Sequence, residues 1–120
     1  MDEQVGVEIT SEGTAAVVGF RAGSIVNPDE IAATREQIRG FVAQNHPQRM
    51  VFDFQQVRFF SSQVLGMLLD VRASLESYDG EVVISAIEPQ LHRVFKITNL
   101  DKVFRFFPDR ESAVNAPGTN

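Results

Sequence analysis

Hydrophobic positions along the chain change period several times, and each change marks an element. Val5, Val7 and Ile9 alternate with Gly6, Glu8 and Thr10, the two-residue period of a half-exposed strand. Glu12-Gly13 supplies a turn. The mostly apolar, β-branched run from Thr14 to Phe20 predicts a second, more buried strand, antiparallel to the first across a short hairpin. Arg21-Ala22-Gly23-Ser24 breaks that strand. The period then becomes helical, with Ile31, Ile38, Phe41 and Val42 on one face. Its start signal is clear: Asn27 can cap, Pro28 suits the first position, and Asp29 and Glu30 bring negative charge to the first turn. The pattern runs to about Gln44 and stops at Asn45-His46-Pro47, because the residue before a proline is pushed out of helical geometry. Arg35, Glu36 and Arg39 on the other face read as solvated surface.

Met50 to Phe54 predicts a short buried strand, and Val64, Met67, Leu68, Val71, Leu75 and Tyr78 fall on one face of a helix from Gln63 to about Tyr78. Asp79-Gly80 closes it as a glycine stop. Gly66 lies near the start of this helix, where it costs about 1 kcal/mol relative to alanine. Close packing against a strand would explain it, as would close approach of a partner's backbone. Glu81 to Ala86 is a fourth strand, with Val82 and Ile84 on one side and Val83 on the other. Pro89 opens a third helix with Leu91, Val94 and Phe95 on its apolar face, and Asn99 suits the left-handed geometry of a helix end. Val103 to Phe107 forms the last strand, with Phe104 and Phe106 on one side and Phe107 on the other, and Asp109 starts a short final helix. Residues 1–114 therefore form one domain. Residues 115–120, which carry no large apolar side chain, form a flexible tail. Strands alternating with helices after an opening hairpin give an α/β domain with a largely parallel sheet and about four helices.

The junction Phe59-Phe60-Ser61-Ser62-Gln63 is where an apolar run meets two adjacent hydroxyls at the start of a helix. A serine there can cap an orphan backbone N–H. The same spot lies at the positive end of the helix dipole and can accommodate a phosphoryl group on its hydroxyl. In an extended segment Phe59 and Phe60 point to opposite sides, so one can join the core while the other lies on the surface beside Ser62.

Composition narrows the function. With 120 residues, 43% hydrophobic and 22% charged, the chain suits a single packed core. A formal charge of −5 argues against nucleic-acid binding, which needs a basic face. No apolar run reaches the roughly 20 residues of a membrane span, and Met1-Asp2-Glu3-Gln4 lacks a signal peptide's basic start, so a cytoplasmic location without membrane contact is expected. The chain has no cysteine, and its two histidines, His46 and His92, lie far apart in sequence. Neither Gly-x-x-x-x-Gly-Lys-[Ser/Thr] nor Gly-x-Ser-x-Gly occurs. No enzyme, metal site or cofactor is signalled.

Two segments carry a resemblance to a known family. Ser61-Ser62-Gln63-Val64-Leu65-Gly66 stands where STAS domains open a helix with a motif close to Asp-Ser-Ser-Gly-Leu-Gly. The segment from Val94 to Phe104, with Thr98-Asn99-Leu100-Asp101, stands where they carry a Leu-Thr-Gly-Leu-Asp-like turn. The chain resembles this family, which includes bacterial anti-sigma factor antagonists and the related domain of sulphate transporters, from about Val5 to Val114. The resemblance implies strands ordered roughly as in sequence. It also implies a protein-binding regulator that sequesters an anti-sigma factor or serine-kinase-type regulator and is switched by phosphorylation at Ser62, with Ser61 as the neighbouring candidate. Arg58, Phe60, Ser61, Ser62, Gln63 and Met67 would form the binding face. Ser61 replaces the family's usual aspartate, and Gln63 and Val64 replace its Ser-Gly. These departures leave a second expectation, a non-phosphorylated subunit of a homo- or hetero-oligomeric signalling or transport assembly. Nucleotide or lipid binding is a third, for which no motif is present.

Overall fold

The computed structural model describes residues 6–118. Val5, assigned above to the first strand, lies outside them, as do residues 119–120. In chain order the elements are β1 (Val7–Glu12), β2 (Ala15–Phe20), β3 (Ser24–Ile25), α1 (Pro28–Asn45), β4 (Arg49–Asp53), β5 (Phe59–Phe60), α2 (Ser62–Glu76), β6 (Glu81–Ser85), α3 (Pro89–Ile97), a single 3-10 turn (Leu100–Lys102), β7 (Arg105–Phe107) and α4 (Arg110–Asn115).

Five strands form one sheet in the order β1-β2-β4-β6-β7. The β1–β2 hairpin is antiparallel, with Val7 opposite Phe20 and Glu12 opposite Ala15, and every other pairing in the sheet is parallel. Sequence order thus becomes spatial order, as the resemblance implies. At the hairpin turn Gly13 takes a left-handed φ of 66° that a side chain would strain.

The parallel strands are covered on both faces. On one, Val18, Phe20, Met50, Phe52, Val82 and Ile84 meet Ile31, Ile38 and Val42 of α1, Val64, Leu68, Val71 and Leu75 of α2, and Leu91 and Phe95 of α3. The Phe95 ring lies 5.3–6.5 Å from the rings of Phe54, Phe60, Phe104 and Phe106, edge to face with each. On the other face Val17, Val51 and Val83 meet Ala113 of α4, with half-buried Val114 and Phe107.

The helix ends follow local chemistry. Asn27 accepts the N–H groups of Asp29 and Glu30 at 2.9 and 3.1 Å, making the expected cap of α1. At the other end His46 turns left-handed before Pro47. Asn99 is left-handed as expected. The end of α2 differs: the left-handed residue is Asp79, and Gly80 is needed for closeness instead. A Cβ on Gly80 would lie 3.2 Å from the Gln48 carbonyl and 3.2 Å from the Leu75 Cβ.

Residues 116 and 117, assigned above to the tail for want of a large apolar side chain, dock through their backbone. Arg49 donates to the carbonyls of Ala113 (2.8 Å), Ala116 (2.6 Å) and Pro117 (3.1 Å), and Arg105 also donates to Pro117 (2.8 Å).

Candidate functional site

The approach to α2 is built by a second, two-stranded ladder that leaves no periodic trace in sequence. After β4 the chain turns, with the Asp53 carboxylate accepting the Gln55 N–H at 3.0 Å. The Arg58 and Phe59 N–H groups then bond the Gly23 carbonyl at 2.7 and 3.1 Å, and Ser61 N–H bonds the Ile25 carbonyl at 3.0 Å. Gly23 suits the close approach here, since a Cβ would lie 3.3 Å from the Gln56 carbonyl oxygen, a tight contact. The result is β3 paired parallel to β5, Ser24 opposite Phe59 and Ile25 opposite Phe60. The Arg21–Ser24 break is therefore the lead into a strand as well as the end of one.

That ladder decides which phenylalanine faces out. Phe60 turns in against Phe54 and Phe95 and is only 6% exposed, whereas Phe59 is 57% exposed. Phe60 thus belongs to the core and cannot offer a contact surface. Met67, 1% exposed, is withdrawn from the expected binding face for the same reason: it sits on the inner stripe of α2 with Val64, Leu68 and Val71.

The two serines separate as well. Ser61 is the N-cap residue of α2, in extended geometry (φ −85°, ψ 164°), but its side chain makes no capping bond. Its Oγ is buried without a hydrogen-bond partner, and the expected cap is not formed. Ser62 is the first residue of the helix and is exposed, as is Gln63. The first turn of α2 carries no acidic side chain of its own to offset the positive end of the helix dipole.

Among the described residues a Cβ built on Gly66 meets no atom of another element within 4 Å, so close packing on a strand is not its reason. At i and i+4 it shares a helix face with Ser62, and exposed Leu69 continues that face. Phe59, Val26 and Leu69 are among the few large exposed apolar side chains of the described residues. Arg58 is exposed and pairs with Glu88, the residue before α3, at 2.7 Å. It links the approach to α2 with the start of α3, and such an exposed pair contributes little stability.

Elsewhere the two histidines and Tyr78 lie against aromatic or backbone neighbours. The His46 ring lies 5.0 Å from that of Tyr78, and His92 lies 4.3 Å from Phe106. Tyr78 donates to the Pro47 carbonyl at 2.9 Å, and burial raises its pKa. Among the described residues no group of three or more His, Cys, Asp or Glu side chains is placed to hold a metal ion, and no helix is long and apolar enough to cross a membrane. What the α2 start presents is a neutral, hydroxyl-bearing helix end beside exposed apolar side chains, a surface suited to docking.

A family model described as the STAS domain matches residues 10–113. Among solved structures, an anti-sigma factor antagonist from Mycobacterium paratuberculosis is 26% identical, with 93% of this chain and 92% of that one covered and a TM-score of 0.80. The phosphorylated form of the Bacillus cell fate determinant SpoIIAA is 19% identical, covering 92% and 97%, with a TM-score of 0.72. The STAS domain of a SulP transporter from Vibrio cholerae is 20% identical, covering 89% and 83%, with a TM-score of 0.67.

Proposed function

The chain belongs to the STAS-domain family, and on that premise we propose that it is a regulatory module that docks another protein through the exposed start of α2. The partner in this reading is an anti-sigma factor or serine-kinase-type regulator, which binding would sequester. The carrying observation is the helix face Ser62-Gly66-Leu69: an exposed hydroxyl, a glycine whose missing side chain no other element of the described residues approaches within 4 Å, and an exposed leucine. Gly66 lets a partner's backbone approach closely. Exposed Arg58 and Phe59 lead into the helix and exposed Gln63 follows Ser62, with Phe59 taking the place that the sequence offers to Phe60. The likeness to the Mycobacterium antagonist supports this class of partner.

Ser62 is the hydroxyl we assign as the switch, because Ser61 Oγ is buried while Ser62 is exposed. Phosphorylation would add about −1.5 to −2 charge at a helix start that tolerates it in the free protein. Against an apolar or acidic partner surface the added charge is repelled and poorly solvated. A loss of about 3 kcal/mol would weaken binding roughly a hundredfold. Ser62→Asp should then release an anti-sigma factor from the same cell that Ser62→Ala still binds, as read by titration calorimetry. Equal affinities would sink the switch.

One observation favours a second reading. Gln63 and Val64 replace the Ser-Gly of the family motif, leaving a single exposed hydroxyl at the helix start. An unswitched subunit of a signalling or transport assembly would need no modification. Intact mass and peptide mapping of the protein from its native cells separates the two: a phosphoryl group on Ser62 supports the switch, and unmodified protein under several stresses supports the assembly subunit.

A further inference from the structure

The face of the sheet opposite α1, α2 and α3 is covered by α4, and one buried side chain makes most of the bonds that hold the end of that helix. Arg49, the first residue of β4, is 8% exposed. Its Nε donates to a Glu81 carboxylate oxygen at 2.8 Å, and its two terminal nitrogens reach the carbonyls of Ala113, Ala116 and Pro117. Arg105 bonds the same Glu81 oxygen at 3.0 Å and adds one bond to the Pro117 carbonyl at 2.8 Å, where Arg49 supplies the three carbonyl bonds above. The guanidinium thus gathers the C-terminal carbonyls of α4, which have no partner within the helix, and the two residues' worth of chain beyond it.

Little else holds α4 down. Ala113 is its only fully buried residue, and Val114 is half-buried. At its other end Arg110 pairs with Glu12 at 2.7 Å, in an exposed position. A six-residue helix has no stability of its own. Segments with few buried apolar contacts and a small set of polar attachments open locally, below the cost of global unfolding.

We infer that α4, with residues 116 and 117, is a strap that opens as a separate unit, and that Arg49 is the positioning residue that latches it. Opening uncovers Val17, Val51 and Val83, an apolar patch on the side of the sheet away from the α2 start. The molecule therefore has a second surface whose exposure is conditional, independent of Ser62.

The absence of cysteine from the sequence makes the test simple. Val83→Cys places a thiol beneath α4, and Val64→Cys places one beneath the helices of the opposite face. Both valines are fully buried. Under native conditions the thiol of the Val83→Cys variant should react with a disulfide reagent at least about tenfold faster than that of Val64→Cys. Adding Arg49→Lys, which keeps the charge but loses the fork, should widen that ratio by about a further tenfold. Equal rates for the two thiols would show that α4 opens only with the whole fold and would overturn the strap. An unequal pair whose ratio ignores Arg49→Lys would overturn the latch. Should Arg49→Lys fail to fold, amide exchange of the unsubstituted protein still decides on the strap. Ala113 and Val114 should exchange well before Phe52 and Leu68, and equal protection would overturn it.

Discussion

The two faces of the sheet are stabilised by different physics. On the first, large side chains from three helices interlock, and Phe95 alone touches four other rings. On the second, three valines lie under a short helix that contributes one buried alanine, and buried Arg49, with lesser help from Arg105 and Arg110, supplies the attachment. Burial of apolar surface is non-directional and shared among many residues, so the first face is redundant. Hydrogen bonds from a guanidinium are directional, so the second face depends on a few positions, Arg49 foremost among them. The α2 start takes its rigidity from the first face, to which Phe60 anchors it.

The contrast is broken most severely at Phe95. Phe95→Ala should cost about 3–5 kcal/mol, lowering the urea midpoint of the whole domain as a single transition. Arg49→Met should cost less, about 1–3 kcal/mol, because the valine face remains apolar and Arg105 still pairs with Glu81. Its mark should be selective: protection lost at 110–117 beyond the global change, read by native-state amide exchange. If Arg49→Met and Phe95→Ala lower protection equally everywhere, the two faces are one cooperative unit. Gly66→Ala sharpens the comparison from the outer side of α2, where a Cβ meets nothing. It should raise stability by about 1 kcal/mol in thermal unfolding, while weakening any partner that docks closely on that face.

The smallest effect concerns pH. Asp109 caps α4 by accepting the Ser112 N–H at 2.8 Å, and this backbone hydrogen bond holds its carboxyl below the usual range. A lowered carboxylate pKa gives stability that is present above the unfolded value and lost as pH falls through the folded one. Acidification through and below the ordinary carboxylate range should therefore loosen α4 before α2, visible as earlier loss of helical chemical shifts at Ala113 than at Leu68. Asp109→Asn should abolish the difference in onset.

Much of the frame was legible from local chemistry. Asn27-Pro28-Asp29-Glu30 announces α1, and the alternation in β6 sends Val82 and Ile84 to one face and Val83 to the other. What sequence could not show has physical reasons. A two-residue strand has no period, so β3 and β5 are invisible until paired, and with them which of Phe59 and Phe60 turns inward. Met67 falls on the helical stripe that predicts burial, and that stripe, more than its closeness to Ser62, decides its place. Ser61 has the right type and position for a cap, yet no local signal reports that its hydroxyl turns inward. Gly66 and Gly80 look alike as letters, but one faces open space and the other a backbone carbonyl. Arg49 gives no local sign of its partners, because they lie far along the chain.

That distance has a consequence for synthesis. Arg49 leaves the ribosome 64 residues before Ala113 and 68 before Pro117. At about 5–20 residues per second, roughly 3–14 s separate the latch from the last group it holds. During that interval α1, α2 and most of the first core can assemble on the nascent chain while the valine face stays uncovered. The fold is thus completed from one side, and a stalled or truncated chain would carry the uncovered face as its sticky surface.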